Sequence, residues 1–152
     1  MTDPRPLFNQ LNIVSGDMAA SIIFYRCLGV ALPDENVWGT ATGAHHASVV
    51  DAGGQTGPDL DLDSVAFAAK WNASWRGRDD HKGRVVVGFS VTSREEVDRV
   101  HGKMVGAGYR SLQQPHDAFW GSRYAIIEDP DGTAVGLMSP RSADKRSEPP
   151  EV

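Results

Sequence analysis

The chain has 152 residues, 40% of them apolar and 23% charged, with a formal net charge of -5. These values suit one ordinary globular domain and exclude a disordered or fibrous chain. The densest basic run, Arg76–Lys82, carries Asp79 and Asp80 within it. No phosphate-tracking surface is indicated, and nucleic acid is not an expected partner.

From the N-terminus, Leu7 to Val14 reads as a strand, with Leu11 and Ile13 on one face and Gln10, Asn12 and Val14 on the other. Asp17 is placed to cap a following helix, Gly29 to close it, and Met18, Ile22, Tyr25 and Leu28 fall at helical spacing between them. Strands are expected over Val37 to Ala41, with Trp38, and over His45 to Val50, ending at the turn Asp51-Ala52-Gly53-Gly54. Asp59-Leu60-Asp61-Leu62-Asp63 alternates strictly, the pattern of a strand with one polar face. Val65 to Trp71 can form a short helix, and the residues around Trp75 read as a loop.

The second half repeats this order. Arg84 to Val91 is a β-branched strand, and Ser93 with Glu96 makes a capping box. The helix behind it shows Val97, Val100, Met104 and Val105 at core spacing and stops at Gly106-Ala107-Gly108. Strands follow at Tyr109 to Gln113, Arg123 to Glu128 and Thr133 to Met138, the last two joined by the turn Asp129-Pro130-Asp131-Gly132. From Pro140 the Ser, Pro and charge content predicts a solvated tail. Strand, helix and about three strands, twice over, give the α+β class and no function.

The lone Cys27 allows no internal disulfide and no multi-thiolate zinc site, and its place in a helix beside Leu28 reads as a small buried hydrophobe. No apolar leader follows Met1 and no apolar run reaches membrane-spanning length, so a cytoplasmic protein without a membrane partner is expected.

Three motifs carry a resemblance. Leu11 to Val30 has a capping Asp17, Ser21 four residues on, the Phe24-Tyr25 pair and the Leu28-Gly29 exit; Val85 to Gly108 holds a strand and a capped helix; Arg123 to Gly132 ends on the Asp-Pro-Asp-Gly turn. Together they resemble the vicinal-oxygen-chelate superfamily of glyoxalases, bleomycin-resistance proteins and extradiol dioxygenases. The resemblance implies two βαβββ modules, about 7–64 and 84–140, forming a half-open barrel around a cleft, with 141–152 as a flexible tail. It also implies a homodimer.

In metal-using members of that superfamily one divalent ion sits in the cleft, held by residues from both modules. Carried over position by position, the ligand sites fall on Gln10, Asp61, Val86 and Gly136. Gln10 and Asp61 are the candidate metal ligands; Val86 and Gly136 have no donor. A catalytic ion needs about three protein ligands and an open position, so glyoxalase-type metal catalysis is not expected. The position of Gly136 is also that of the superfamily's proton acceptor. No cofactor is therefore expected, and a divalent metal is the alternative.

The remaining polar and aromatic residues give a candidate ligand-binding set of Gln10, Asn12, Trp38, His46, Asp61, Trp120 and Arg123. Adjacent strand residues point to opposite faces, so one of His45 and His46 is expected outside and the other in the cleft or core, with a ligand role for His46 as the minor option. Asp59, Asp61 and Asp63 share a face that reads as solvated for at least two of them, or as a wall for a cation. Trp38, Trp71, Trp75 and Phe119-Trp120 lie near loops or strand ends, where each can plug an edge or wall a flat ligand. Arg123 can pair a ligand carboxylate or form a surface salt bridge. The expected function is binding of a small, partly aromatic molecule without a catalytic metal; the alternative is a metal-dependent lyase, isomerase or dioxygenase with an unusual ligand set.

Overall fold

Alternation along most strands and a 3.6-residue period along the longer helices give those elements an apolar face, and the chain buries these faces in two compact units, residues 1–78 and 79–152. The structure, a computed structural model, describes residues 8, 10–52, 54, 57–72 and 85–151. Leu7 at the expected strand start, Gly53 in the expected turn, Trp75, the Arg76–Lys82 run and Arg84 lie outside the described residues.

The first unit contains β1 (Gln10–Ser15), α1 (Met18–Leu28), β2 (Val37–Thr40), β3 (Gly43–Ser48), β4 (Asp59–Ser64) and α2 (Val65–Trp71). Its sheet has the order β1-β4-β3-β2, with β1 parallel to β4 and the other pairs antiparallel. Ile13, Leu62 and Ala47 stand opposite one another across β1, β4 and β3, all buried, and α1 packs over β3 and β4. The hydroxyls of Ser15 and Ser21 meet at 2.7 Å and tie β1 to the helix. The expected helix positions Met18, Ile22, Tyr25 and Leu28 are all buried, while Cys27 is half-buried.

The ends of α1 follow local chemistry. The Asp17 carboxylate accepts from the Ala20 amide at 3.0 Å, and Gly29 takes a φ of 105°, a left-handed conformation that side-chain-bearing residues rarely adopt. Asp17→Ala should therefore cost about 1 kcal/mol of unfolding free energy, read by urea denaturation. An unchanged midpoint would show that the cap contributes nothing.

The second unit repeats the plan with β5 (Val86–Ser90), α3 (Arg94–Gly106), β6 (Ser111–Asp117), β7 (Arg123–Glu128) and β8 (Ala134–Met138), in the order β5-β8-β7-β6. Val87, Val135 and Ile127 form the buried row against Val97, Val100 and Met104 of α3. Each module is thus βαβββ, and neither four-stranded sheet closes into a barrel.

Four expectations change in detail. The Ser93 hydroxyl accepts from the Glu96 amide at 3.1 Å, but the Glu96 carboxylate pairs with Arg99, so only half of the capping box forms. Val105 is exposed; the buried stripe runs through His101, whose Nε2 lies 2.8 Å from the Ser111 hydroxyl and whose pKa burial pushes down. β6 extends past Gln113 to Asp117 through Pro115, which an edge strand tolerates because one side of its backbone needs no ladder. The tail exposes its side chains, yet Ser142 N donates to Gly121 O and Ser147 N to Phe119 O, both at 3.0 Å. Gly121 has a φ of 97°, and a Cβ there would collide with the Ser142 carbonyl.

Candidate functional site

Period-two alternation that sends Ile13 and Leu62 toward α1 sends Gln10, Asn12, Asp59, Asp61, Asp63, His46 and Ser48 to the opposite face of the first sheet. There the side chains pair across strands. Gln10 Nε2 donates to Asp61 Oδ2 at 2.8 Å, and Asn12 Nδ2 to Asp63 Oδ2 at 2.6 Å. Asp63 Oδ1 meets His46 Nδ1 at 2.6 Å, and His46 Nε2 meets the Ser48 hydroxyl at 2.9 Å. Asp63 is 0% exposed and Asp61 7%, so the solvated reading of the aspartate row holds for Asp59 alone. The two buried carboxylates are tolerated because side-chain donors meet them.

Both histidines are half-buried and engaged, rather than one exposed and one enclosed. His45 Nδ1 meets the Ser64 hydroxyl at 2.8 Å and its Nε2 lies beside Thr42, while both ring nitrogens of His46 are occupied as above. An aromatic group flanks this polar face: Trp38, 51% exposed, lies 5.5 Å from the Phe67 ring, which lies 5.7 Å from His46. Ser64 caps α2 by accepting from the Phe67 amide at 3.0 Å and so fixes where Phe67 starts.

In the second unit the corresponding sheet face is aromatic. Tyr124 meets Trp120 at 5.3 Å and His116 at 6.1 Å between ring centres, and Phe119 meets Trp120 at 5.2 Å. Among the described residues Trp120 Nε1 and the Ser122 hydroxyl are buried without a hydrogen-bond partner. Burial pushes the Tyr124 phenol above its usual pKa. Arg123, its neighbour, faces the other way. Its guanidinium lies 2.9 Å from Asp98 and 3.1 Å from Asp117, and these hydrogen bonds raise its pKa and lower that of Asp117. Arg94 also pairs with Asp117. Of the two roles open to Arg123 in the sequence, the salt bridge is the one observed.

Residues 7–137 match the model of the glyoxalase/bleomycin resistance protein/dioxygenase superfamily. The chain belongs to this superfamily. Its fold is similar to a glyoxalase/bleomycin resistance protein/dioxygenase from Nocardioides, with a TM-score of 0.67 and 20% identity, covering 99% of this chain and 92% of that one. It is similar to a glyoxalase-related enzyme from Fulvimarina pelagi (TM-score 0.68, 20% identity, 91% and 94% covered). It is also similar to lactoylglutathione lyase from Agrobacterium tumefaciens (TM-score 0.61, 18% identity, 90% and 95% covered). No curated protein matches the sequence.

The positions at which superfamily members hold a divalent ion do not fit one here. Gln10 and Asp61 hydrogen-bond to each other and keep oxygen donors, but Val86 is an exposed aliphatic residue at the start of β5 with none. A Cβ on Gly136 would lie 2.7 Å from Tyr124 Oη and 3.2 Å from its Cζ, so the phenol ring covers the place of the superfamily glutamate. Among the described residues no group of three or more His, Cys, Asp or Glu side chains is arranged to hold a metal.

The sequence did not single out Ser48, Phe67, His116 or Tyr124 as site residues. Tyr124 pairs with Met138 and Ile126 with Gly136, which makes Tyr124 a diagonal neighbour of the glycine. An aromatic residue covering a cross-strand glycine is a recognisable sheet device, visible once the register is known. Among the described residues no helix is long and apolar enough to cross a membrane.

Proposed function

We propose that the protein binds a small amphipathic molecule bearing a flat or apolar group, without a resident catalytic metal. The observation that carries this reading is the Tyr124 ring lying over Gly136, where metal-using relatives need a glutamate. Two separate surfaces each offer a flat group with polar atoms at hand: Trp38 and Phe67 beside the hydrogen-bonding face of the first unit, and Trp120 with its unpartnered indole in the second. The metal-dependent alternative draws on Gln10, Asp61 and His46; both ring nitrogens of His46 are already engaged, which leaves two oxygen ligands, Gln10 and Asp61. By resemblance alone, the binding protein works as a homodimer.

Titration with a panel of flat aromatic compounds, read by tryptophan fluorescence in the presence of a chelator, tests this. At least one compound should bind saturably, with an affinity unchanged when manganese or nickel replaces the chelator. Trp38→Ala and Trp120→Ala report separately which surface takes the ring, and the one that does should weaken binding about fivefold to tenfold. No binding across a broad panel, or binding only with added metal, would contradict the proposal.

A further inference from the structure

The hydrogen bonds on the first sheet form a directed chain. Asp63 is fully buried, and its second oxygen is fixed by Asn12 Nδ2 at 2.6 Å. A carboxylate only accepts, so the proton between it and His46 sits on Nδ1. With the ring neutral, Nε2 accepts and the Ser48 hydroxyl at 2.9 Å donates. Ser48 and His46 stand two residues apart on β3 and share a face, and Asp63 lies directly opposite His46 on β4.

The geometry points to Ser48 as a nucleophile for acyl transfer, activated by His46 and oriented by Asp63, acting on small acyl compounds with a good leaving group such as aryl esters. Hydroxyl, imidazole and buried carboxylate in this order are the parts of a serine nucleophile with its base and orienting acid. The His46 side chain is 30% exposed and Ser48 is half-buried, so a small molecule can reach this end of the network. The limit on the substrate also follows from the sheet. Successive amides of a strand point to opposite edges, so β3 (Gly43–Ser48) does not present two adjacent donors to an oxyanion on its face. The Asp61 carboxylate stands opposite Ser48 on β4, which further disfavours negative charge there. Without that stabilisation, worth roughly 100-fold to 1000-fold in rate, only an activated acyl group reacts.

In the first step Ser48 Oγ bonds to the acyl carbon and its proton passes to His46 Nε2. The bond from that carbon to the aryl oxygen breaks, and the phenol leaves with the proton. Water then adds to the acyl-serine, giving its proton to Nε2; the carbon–Oγ bond breaks, Ser48 regains the proton and the carboxylic acid departs.

The test uses the full chain with 4-nitrophenyl acetate and with a fluorophosphonate, read by stopped-flow absorbance, intact mass and peptide mapping. One phosphonyl adduct per chain on Ser48 is expected, with a nitrophenol burst equal to the protein concentration. Ser48→Ala should abolish both, and His46→Gln should slow labelling roughly 100-fold or more, with circular dichroism confirming the fold. Wild-type protein that gains no adduct on Ser48, or labels there equally fast in His46→Gln, would overturn the assignment. The result is independent of the binding proposal, since aromatic compounds can bind an unreactive face and a reactive Ser48 can occur without them.

Discussion

Gly136→Glu, which restores the residue that metal-using relatives carry, is expected to destabilise the protein by about 1–3 kcal/mol and to create no metal site. A Cβ at this position meets Tyr124 Oη at 2.7 Å and its ring carbons at 3.1 and 3.2 Å, so the side chain must swing away and give up its contacts with Trp120 and His116. β8 lies between β5 and β7 and has no free side on which to relax. Urea denaturation of Gly136→Glu, Tyr124→Ala and the double variant measures the conflict. The double variant should be more stable than the sum of the two single losses predicts, because the clash exists only when both large side chains are present. Additive losses would mean that the ring does not fill the glutamate position. Val86 still offers no donor on the neighbouring strand, so manganese should not raise the midpoint of Gly136→Glu.

Asp63→Ala should cost about 2–4 kcal/mol. Its carboxylate holds Asn12 and His46 at 2.6 Å each, and hydrogen bonds to a charged group contribute about 1.5–3 kcal/mol, offset here by recovery of the carboxylate's desolvation cost and by water reaching the half-buried partners. Asp59→Ala, in the same row but exposed, should stay within about 0.5 kcal/mol of wild type. Equal losses at the two positions would show that burial and pairing of Asp63 do not determine its role.

The two βαβββ modules were legible because most of their elements announce themselves locally, by alternation, helical spacing or a capping residue. β6 was not fully legible, because Pro115 reads as a stop until its strand is known to be an edge. Val105 shows the same limit within a helix: spacing admits it to the stripe, but the burial goes to His101, whose partner Ser111 lies on another element. Alternation also gave the shared face of Gln10 and Asn12 and that of the three aspartates. It could not show which aspartates are buried, because that depends on β1 and β3 flanking β4 in one particular register. Ser48 was missed for the same reason. The absence of donors at Val86 and Gly136 was readable from the resemblance, whereas the ring over Gly136 required the β7–β8 pairing.

Calorimetric titration of chelator-treated wild-type protein with manganese, nickel and zinc reads directly whether the chain holds an ion. No stoichiometric, saturable site is expected for any of the three. One tightly bound ion per chain, lost in Gln10→Ala, would contradict it.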